Sequence, residues 1–217
     1  MNKLWLAGLL GLGLAACGSQ PPVPDWQMNA HGALALAVAA DLEGNTRVAE
    51  REFARGRAEM ARTGRPELVA RAELLRCAGR VASLDFAPCA GFEPLRADAG
   101  AAERAYADYL AGRLDARDAA LLPAQQQAAA RRAAADPAAL AAISDPLARL
   151  VAAGVWFEKG WASPAVVAQA VDTASAQGWR RPLLAWLGVQ ARLAEQGGDA
   201  AEAARLRRRM DLVQGTP

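Results

Sequence analysis

The chain is poor in the side chains from which most active sites are built. Among 217 residues there is one histidine, His31, two lysines, Lys3 and Lys159, and three cysteines. A lone histidine cannot supply the paired imidazoles of a His-Glu-x-x-His zinc site. There is also no Gly-x-Ser-x-Gly elbow, and no phosphate-cradling glycine loop followed by Lys-Ser or Lys-Thr. Strand-forming residues are equally scarce. Ile143 is the only isoleucine, there are four threonines, and aromatic residues make up 6%. A β-sheet protein draws heavily on these types, so strand signals are nearly absent. A formal net charge of +2 lacks the basic surplus of a nucleic-acid binder. What is present instead is alanine, about a quarter of the chain, with 23 arginines. That composition favours helix and offers few bulky side chains for a core.

The first residues carry an address. Lys3 provides a positive start, Leu4 to Leu14 form an apolar stretch, and Leu14-Ala15-Ala16-Cys17 follows. About eleven apolar residues are too few to span a bilayer, which takes about twenty, so the segment reads as a leader. Leu14-Ala15-Ala16-Cys17 resembles the lipobox of bacterial lipoproteins. The resemblance implies cleavage between Ala16 and Cys17, and acylation of the Cys17 thiol and its new amine. The other reading is an ordinary secretory leader with an incidental cysteine. Gly18 and Ser19 stand where an aspartate would retain a lipoprotein in the inner membrane of a Gram-negative cell. The expected location is therefore the outer membrane, lipid-anchored and facing the periplasm. Pro21, Pro22 and Pro24 make the following segment a semi-extended tether of roughly 3 Å per residue. Loss of Lys3 with the leader lowers the net charge to +1.

Two cysteines then remain, Cys77 and Cys89. In an oxidising compartment an even pair is expected to form a disulfide. Free thiols are the other outcome. A redox motif of the thioredoxin type has two intervening residues rather than eleven, and His31 alone cannot complete a metal site.

Helix signals recur along the mature chain. Leu34, Val38 and Leu42 predict one face of a helix over 29–42, and Gly44-Asn45 ends it. Ala49, Phe53, Gly56 and Met60 form the stripe of a second helix. Leu68, Ala72, Leu75, Gly79 and Ala82 form that of a third, opened by Pro66. Further helices are expected over 98–113 and 115–122, and a near-low-complexity helix over 123–135. Pro146, Pro164 and Pro182 mark helix starts, predicting helices over 146–159, 164–177 and 182–196, with a last one ending near Val213. The expected organisation is a signal peptide over 1–16, an acylated, Pro-rich tether over 17–28 and helical hairpins with the disulfide over 29–122. An Ala/Gln-rich helical linker (123–143) and C-terminal hairpins (144–217) complete it.

The first hairpin resembles a tetratricopeptide unit. Gly44 takes the turn, Leu36-Ala37 the Leu-small pair, and Ala49, Phe53 and Gly56 the small, aromatic and small positions of the second helix. Ala33 and Ala40 replace the Trp and Tyr of that pattern. Gly198-Asp199 with Ala203 repeats it faintly, with Arg207 in the aromatic place. The resemblance implies an all-α fold: an irregular tetratricopeptide-like helical-hairpin array or a helical bundle.

Four tryptophans crowd into 156–186: Trp156, Trp161, Trp179 and Trp186. They read either as local core bulk or as a binding groove formed by Trp161 and Trp179 with Arg180 and Arg181. Arg205, Arg207, Arg208 and Arg209 complement a helix C-terminus or meet anionic headgroups. Glu50, Glu52, Glu59, Glu67 and Glu73 alternate with arginines as a solvated face would. The function expected is a non-catalytic helical adaptor or assembly factor for an envelope protein partner, with no metal and no cofactor. The alternatives are a peptidoglycan- or glycan-binding or -active lipoprotein, and a purely structural envelope protein.

Overall fold

The computed structural model describes residues 22–215, so the leader, Cys17 and the tether as far as residue 21 lie outside the described residues. The stretch 25–28, expected as tether, is the first turn of a helix that begins at Asp25. Among the described residues the chain is all-α, with no strand. In order the helices are α1 (Asp25–Leu42), α2 (Thr46–Ala61), α3 (Pro66–Ala82), α4 (Ala101–Leu110), α5 (Ala124–Ala130) and α6 (Pro137–Ala141). After them come α7 (Pro146–Glu158), α8 (Pro164–Gln177), α9 (Arg180–Gln196) and α10 (Ala200–Gln214). Short 3-10 segments occupy Glu93–Leu95 and Ala116–Leu121.

Local chemistry sets the helix ends. Ser163 accepts from the Val166 N–H and Pro164 sits in the first turn of α8, where a missing N–H costs nothing. At the other end Gly178 takes φ 67°, and the Trp179 N–H closes on the Ala174 carbonyl at 3.0 Å. Asp145 caps α7 through the Ala148 N–H, and Asp199 caps α10 through the Glu202 N–H.

The helices pair as an irregular array. α1 and α2 form one antiparallel hairpin, α9 and α10 another, and α3 lies centrally against α4 and α7. α3 is buried on more than the one face its stripe predicts: Val69, Ala70, Leu74, Cys77, Ala78 and Val81 join Leu68, Ala72, Gly79 and Ala82 inside. One continuous core runs from Ala70 to Leu206, with Trp156, Trp186, Tyr109 and Phe92 as its largest fully buried members. A smaller cluster of Leu34, Ala37, Phe53 and Ala72 lies between the first hairpin and α3.

Small residues let these helices approach closely. A Cβ at Gly154 of α7 would fall 2.4 Å from the Val81 carbonyl oxygen of α3. A Cβ at Gly56 would meet Leu34 Cγ at 2.7 Å. Alanine-rich helices with little bulk thus reach interior packing density by bringing backbones together rather than by interlocking long side chains.

The middle of the chain departs from the local reading. The helix expected over 98–113 is confined to Ala101–Leu110, and the one expected over 115–122 is a 3-10 segment, Ala116–Leu121. Pro123 holds Leu122 extended at ψ 159°, which interrupts the helical path into α5. Asp136, extended before Pro137, restarts the chain as α6 by accepting from the Ala138 and Ala139 N–H groups. The segment 123–143 does not stand apart as a linker. It sends Gln126, Ala129, Leu140 and Ile143 into the buried interior.

Candidate functional site

Cys77 lies buried on α3, and Cys89 lies in the connection between α3 and α4. The two are joined, with Cα atoms 5.9 Å apart, a normal disulfide separation. The bond holds the α3–α4 connection against the helix that precedes it, and the N–H of the buried Phe92 donates to the Cys89 carbonyl at 2.8 Å.

Beside this disulfide is a cleft of about 160 Å³. Val81, Phe86 and Leu110 give it apolar walls, and Arg80, Arg96 and Arg113 give it charge. Those charges are already matched. Arg80 grips Asp85 through two hydrogen bonds of 2.8 and 3.0 Å. Arg96 grips Glu93 at 2.9 and 3.0 Å and reaches Asp108 at 3.4 Å. The Arg80 guanidinium holds the Asp85 carboxyl below its ordinary range, and Arg96 does the same for Glu93. A ligand entering here meets ion pairs rather than a single uncompensated sign.

The tryptophans divide into two kinds. Trp156 and Trp186 are buried in the core, and the Trp186 indole N–H donates to the Ala82 carbonyl at 3.0 Å. Trp161 and Trp179 are both half-buried, but α8 separates them. A helix of 14 residues is about 21 Å long, so they stand at opposite ends of it. Trp161 closes the end of α7, with its N–H on the Trp156 carbonyl at 2.8 Å and the Lys159 ammonium 4.0 Å from its ring centroid. Trp179 is the N-cap residue of α9 and packs on the core.

Arg180 and Arg181 face the first hairpin. Arg181 donates through Nε to the Asp41 carbonyl at 2.7 Å and through Nη2 to Thr46 Oγ1 at 2.9 Å. The Asp41 carboxylate lies 3.3 Å from the same guanidinium. Burial raises the Asp41 carboxyl above its ordinary value against the pull of Arg181. The Arg180 guanidinium lies across Gly44, where a Cβ would sit 3.1 Å from it. The structure therefore brings Arg180 and Arg181 to the α1–α2 turn, and does not bring Trp161, Trp179 and these arginines into one groove.

Several acids are more deeply placed than their arginine-rich neighbourhoods imply. Glu73 is buried and receives Arg57 at 2.7 Å and Arg76 at 2.9 Å. Arg76 in turn covers the Phe53 ring, 4.2 Å from its centroid. Glu52 is buried between Arg51 and Arg55, whereas Glu50 is exposed. Glu103 is buried in the first turn of α4 under Arg71, 2.6 Å away. Burial pushes the Glu103 carboxyl up, but the hydrogen bond from Arg71 and backbone N–H groups outweigh it, leaving it below the ordinary value. Arg57–Glu73 joins α2 to α3 and Arg71–Glu103 joins α3 to α4, whereas the Glu52 pairs lie within α2. Deeper still, the Tyr109 hydroxyl donates to Gln126 Oε1 at 2.8 Å, and Gln126 Nε2 donates to the Ala148 carbonyl at 3.0 Å.

His31 is exposed on α1. In the final helix Arg205 pairs with Glu202 within its own helix, and Arg207 pairs with Glu195 of α9. Among the described residues no three His, Cys, Asp or Glu side chains gather as a metal site, and no helix is long and apolar enough to cross a membrane. Neither a family model nor a curated protein nor a solved structure matches the chain.

Proposed function

We propose that the chain is an outer-membrane lipoprotein, anchored by acylated Cys17, whose helical body is a non-catalytic adaptor or assembly factor for an envelope protein. The observation that carries this reading is the conjunction of Leu14-Ala15-Ala16-Cys17, directly behind an apolar leader, with a disulfide in the body. A disulfide is what an exported domain forms and a cytosolic one rarely keeps. The role of adaptor is supported by the way the body uses its charged groups. Arg57 on Glu73 ties α2 to α3, Arg71 on Glu103 ties α3 to α4, and Arg181 ties the first hairpin to α9. Such a body is an array of helical faces held in fixed relation. Acyl chains confine it to one surface and raise its effective concentration for a partner there.

Crosslinking in intact envelopes, followed by purification of the chain, tests the reading. A defined protein partner in the crosslinked species is the expected result. Recovery of murein fragments alone overturns the adaptor role in favour of glycan binding.

A further inference from the structure

α1 and α2 form one hairpin but present opposite surfaces. α2 turns Arg47, Glu50, Arg51 and Arg55 outward, a surface that must stay hydrated. α1 carries no Asp, Glu, Lys or Arg between Asp25 and Asp41. Its outward arc includes Met28, Gly32, Ala35 and Leu36, at the i, i+4, i+7, i+8 spacing that lines one side of a helix. Met28 is 55% exposed and Leu36 47%, and Val23, just ahead of the helix, is 53% exposed. Among the described residues only two other large apolar side chains are comparably exposed, Leu121 and Leu212. The exposed apolar surface is thus concentrated on the helix nearest Cys17.

We propose that this face of α1 lies on the membrane, with Met28 and Leu36 at the boundary between headgroups and acyl chains. The inference rests on the lipoprotein reading, because acylated Cys17 is what brings α1 to the bilayer. Asp25 follows Cys17 by eight residue steps, and an extended chain spans at most about 3.6 Å per residue. The start of α1, Asp25, therefore stays within about 29 Å of the acylated residue. An arc with no Asp, Glu, Lys or Arg between Asp25 and Asp41, and with His31 at its edge, settles on the leaflet without stripping water from fixed charges, as interfacial helices do. Acyl chains alone would let the body tumble on its tether. Contact along α1 fixes its orientation, laying the first hairpin against the leaflet and directing the remaining helices to the periplasm.

The test uses the full-length protein isolated from envelopes and returned to phosphatidylethanolamine–phosphatidylglycerol vesicles that carry a diazirine in the lipid acyl chains. After photolysis, cleavage before Asp25 and Asp41 separates a peptide holding Cys17 from one holding α1 (25–40). Mass spectrometry then reads acylation and lipid adducts independently. Lipid adducts on the 25–40 peptide are expected. They should fall at least fivefold in Met28→Gln/Leu36→Gln, a pair of exposed substitutions that keeps helix propensity and should leave thermal unfolding unchanged. An acylated Cys17 peptide with no adducts on 25–40 overturns the inference and leaves the lipoprotein reading standing. Adduct yields equal in wild type and variant overturn it as well. An unmodified Cys17 peptide overturns the lipoprotein reading instead, and adducts on 25–40 in that case still support lipid contact by α1.

Discussion

The indole N–H of Trp186, on α9, donates to the carbonyl of Ala82 at the end of α3, 3.0 Å away across 104 residues of sequence. Both groups are buried, and the Phe157 ring meets the indole edge-on at 5.8 Å. This contact ties the C-terminal hairpin to the central helix. Trp186→Phe leaves the Ala82 carbonyl without its donor and opens space, costing about 2–3 kcal/mol. Urea unfolding checks it, with Trp161→Phe as the comparison. The half-buried Trp161 should cost less than 1 kcal/mol.

Close approach of backbones predicts an asymmetry among glycines. Gly154→Ala drives a methyl group against the Val81 carbonyl and should destabilise the protein by about 1–3 kcal/mol. Gly32→Ala meets nothing within 4 Å on the exposed side of α1. It should stabilise by about 0.5–1 kcal/mol, because alanine loses less backbone freedom in a helix. Thermal melts of the two variants should move in opposite directions.

Acid should loosen the seam between α3 and α4. The folded Glu103 carboxyl sits below its ordinary value of 4.5 because Arg71 and backbone N–H groups hold its charged form. Its contribution is complete above that value and is lost as the pH falls through the lower, folded one. Asp85 and Glu93, both lowered by arginine partners, add in the same direction. Urea midpoints measured between pH 7 and pH 3 should therefore decline below about pH 4.5. Glu103→Gln should show a shallower decline from a lower starting stability.

Removal of the disulfide should be tolerated at a cost. Closing a loop of twelve residues contributes about 2–3 kcal/mol through the unfolded chain. The double variant Cys77→Ala/Cys89→Ala should lose that much in urea unfolding while keeping its helical circular dichroism. Alkylation of the wild-type protein without reductant should leave Cys77 and Cys89 unlabelled.

Much of this architecture is readable locally. α8 spans 164–177 as expected because Ser163-Pro164 and Gly178 mark both of its ends. The pairing of Cys77 with Cys89 follows from the number of cysteines and from the expectation of an oxidising compartment. Other features depend on partners far along the chain. Gln126 lies in an Ala/Gln tract that looks featureless, and its role exists only through Tyr109 and Ala148. Glu73 alternates with arginines as a solvated acid does, but α3 is central, so the same pattern describes a buried ion pair. Arg181 reads as a groove residue beside Trp179. Its partner, Asp41, lies 140 residues earlier, and no local pattern reports that distance.

The most direct measurement is the mass of the N-terminal peptide of the protein recovered from the envelope fraction. A chain beginning at Cys17 and carrying a diacylglyceryl thioether and an acylated amine is the result expected of a membrane-tethered helical adaptor. A chain whose Cys17 is unmodified, or whose first residue lies elsewhere, would contradict it.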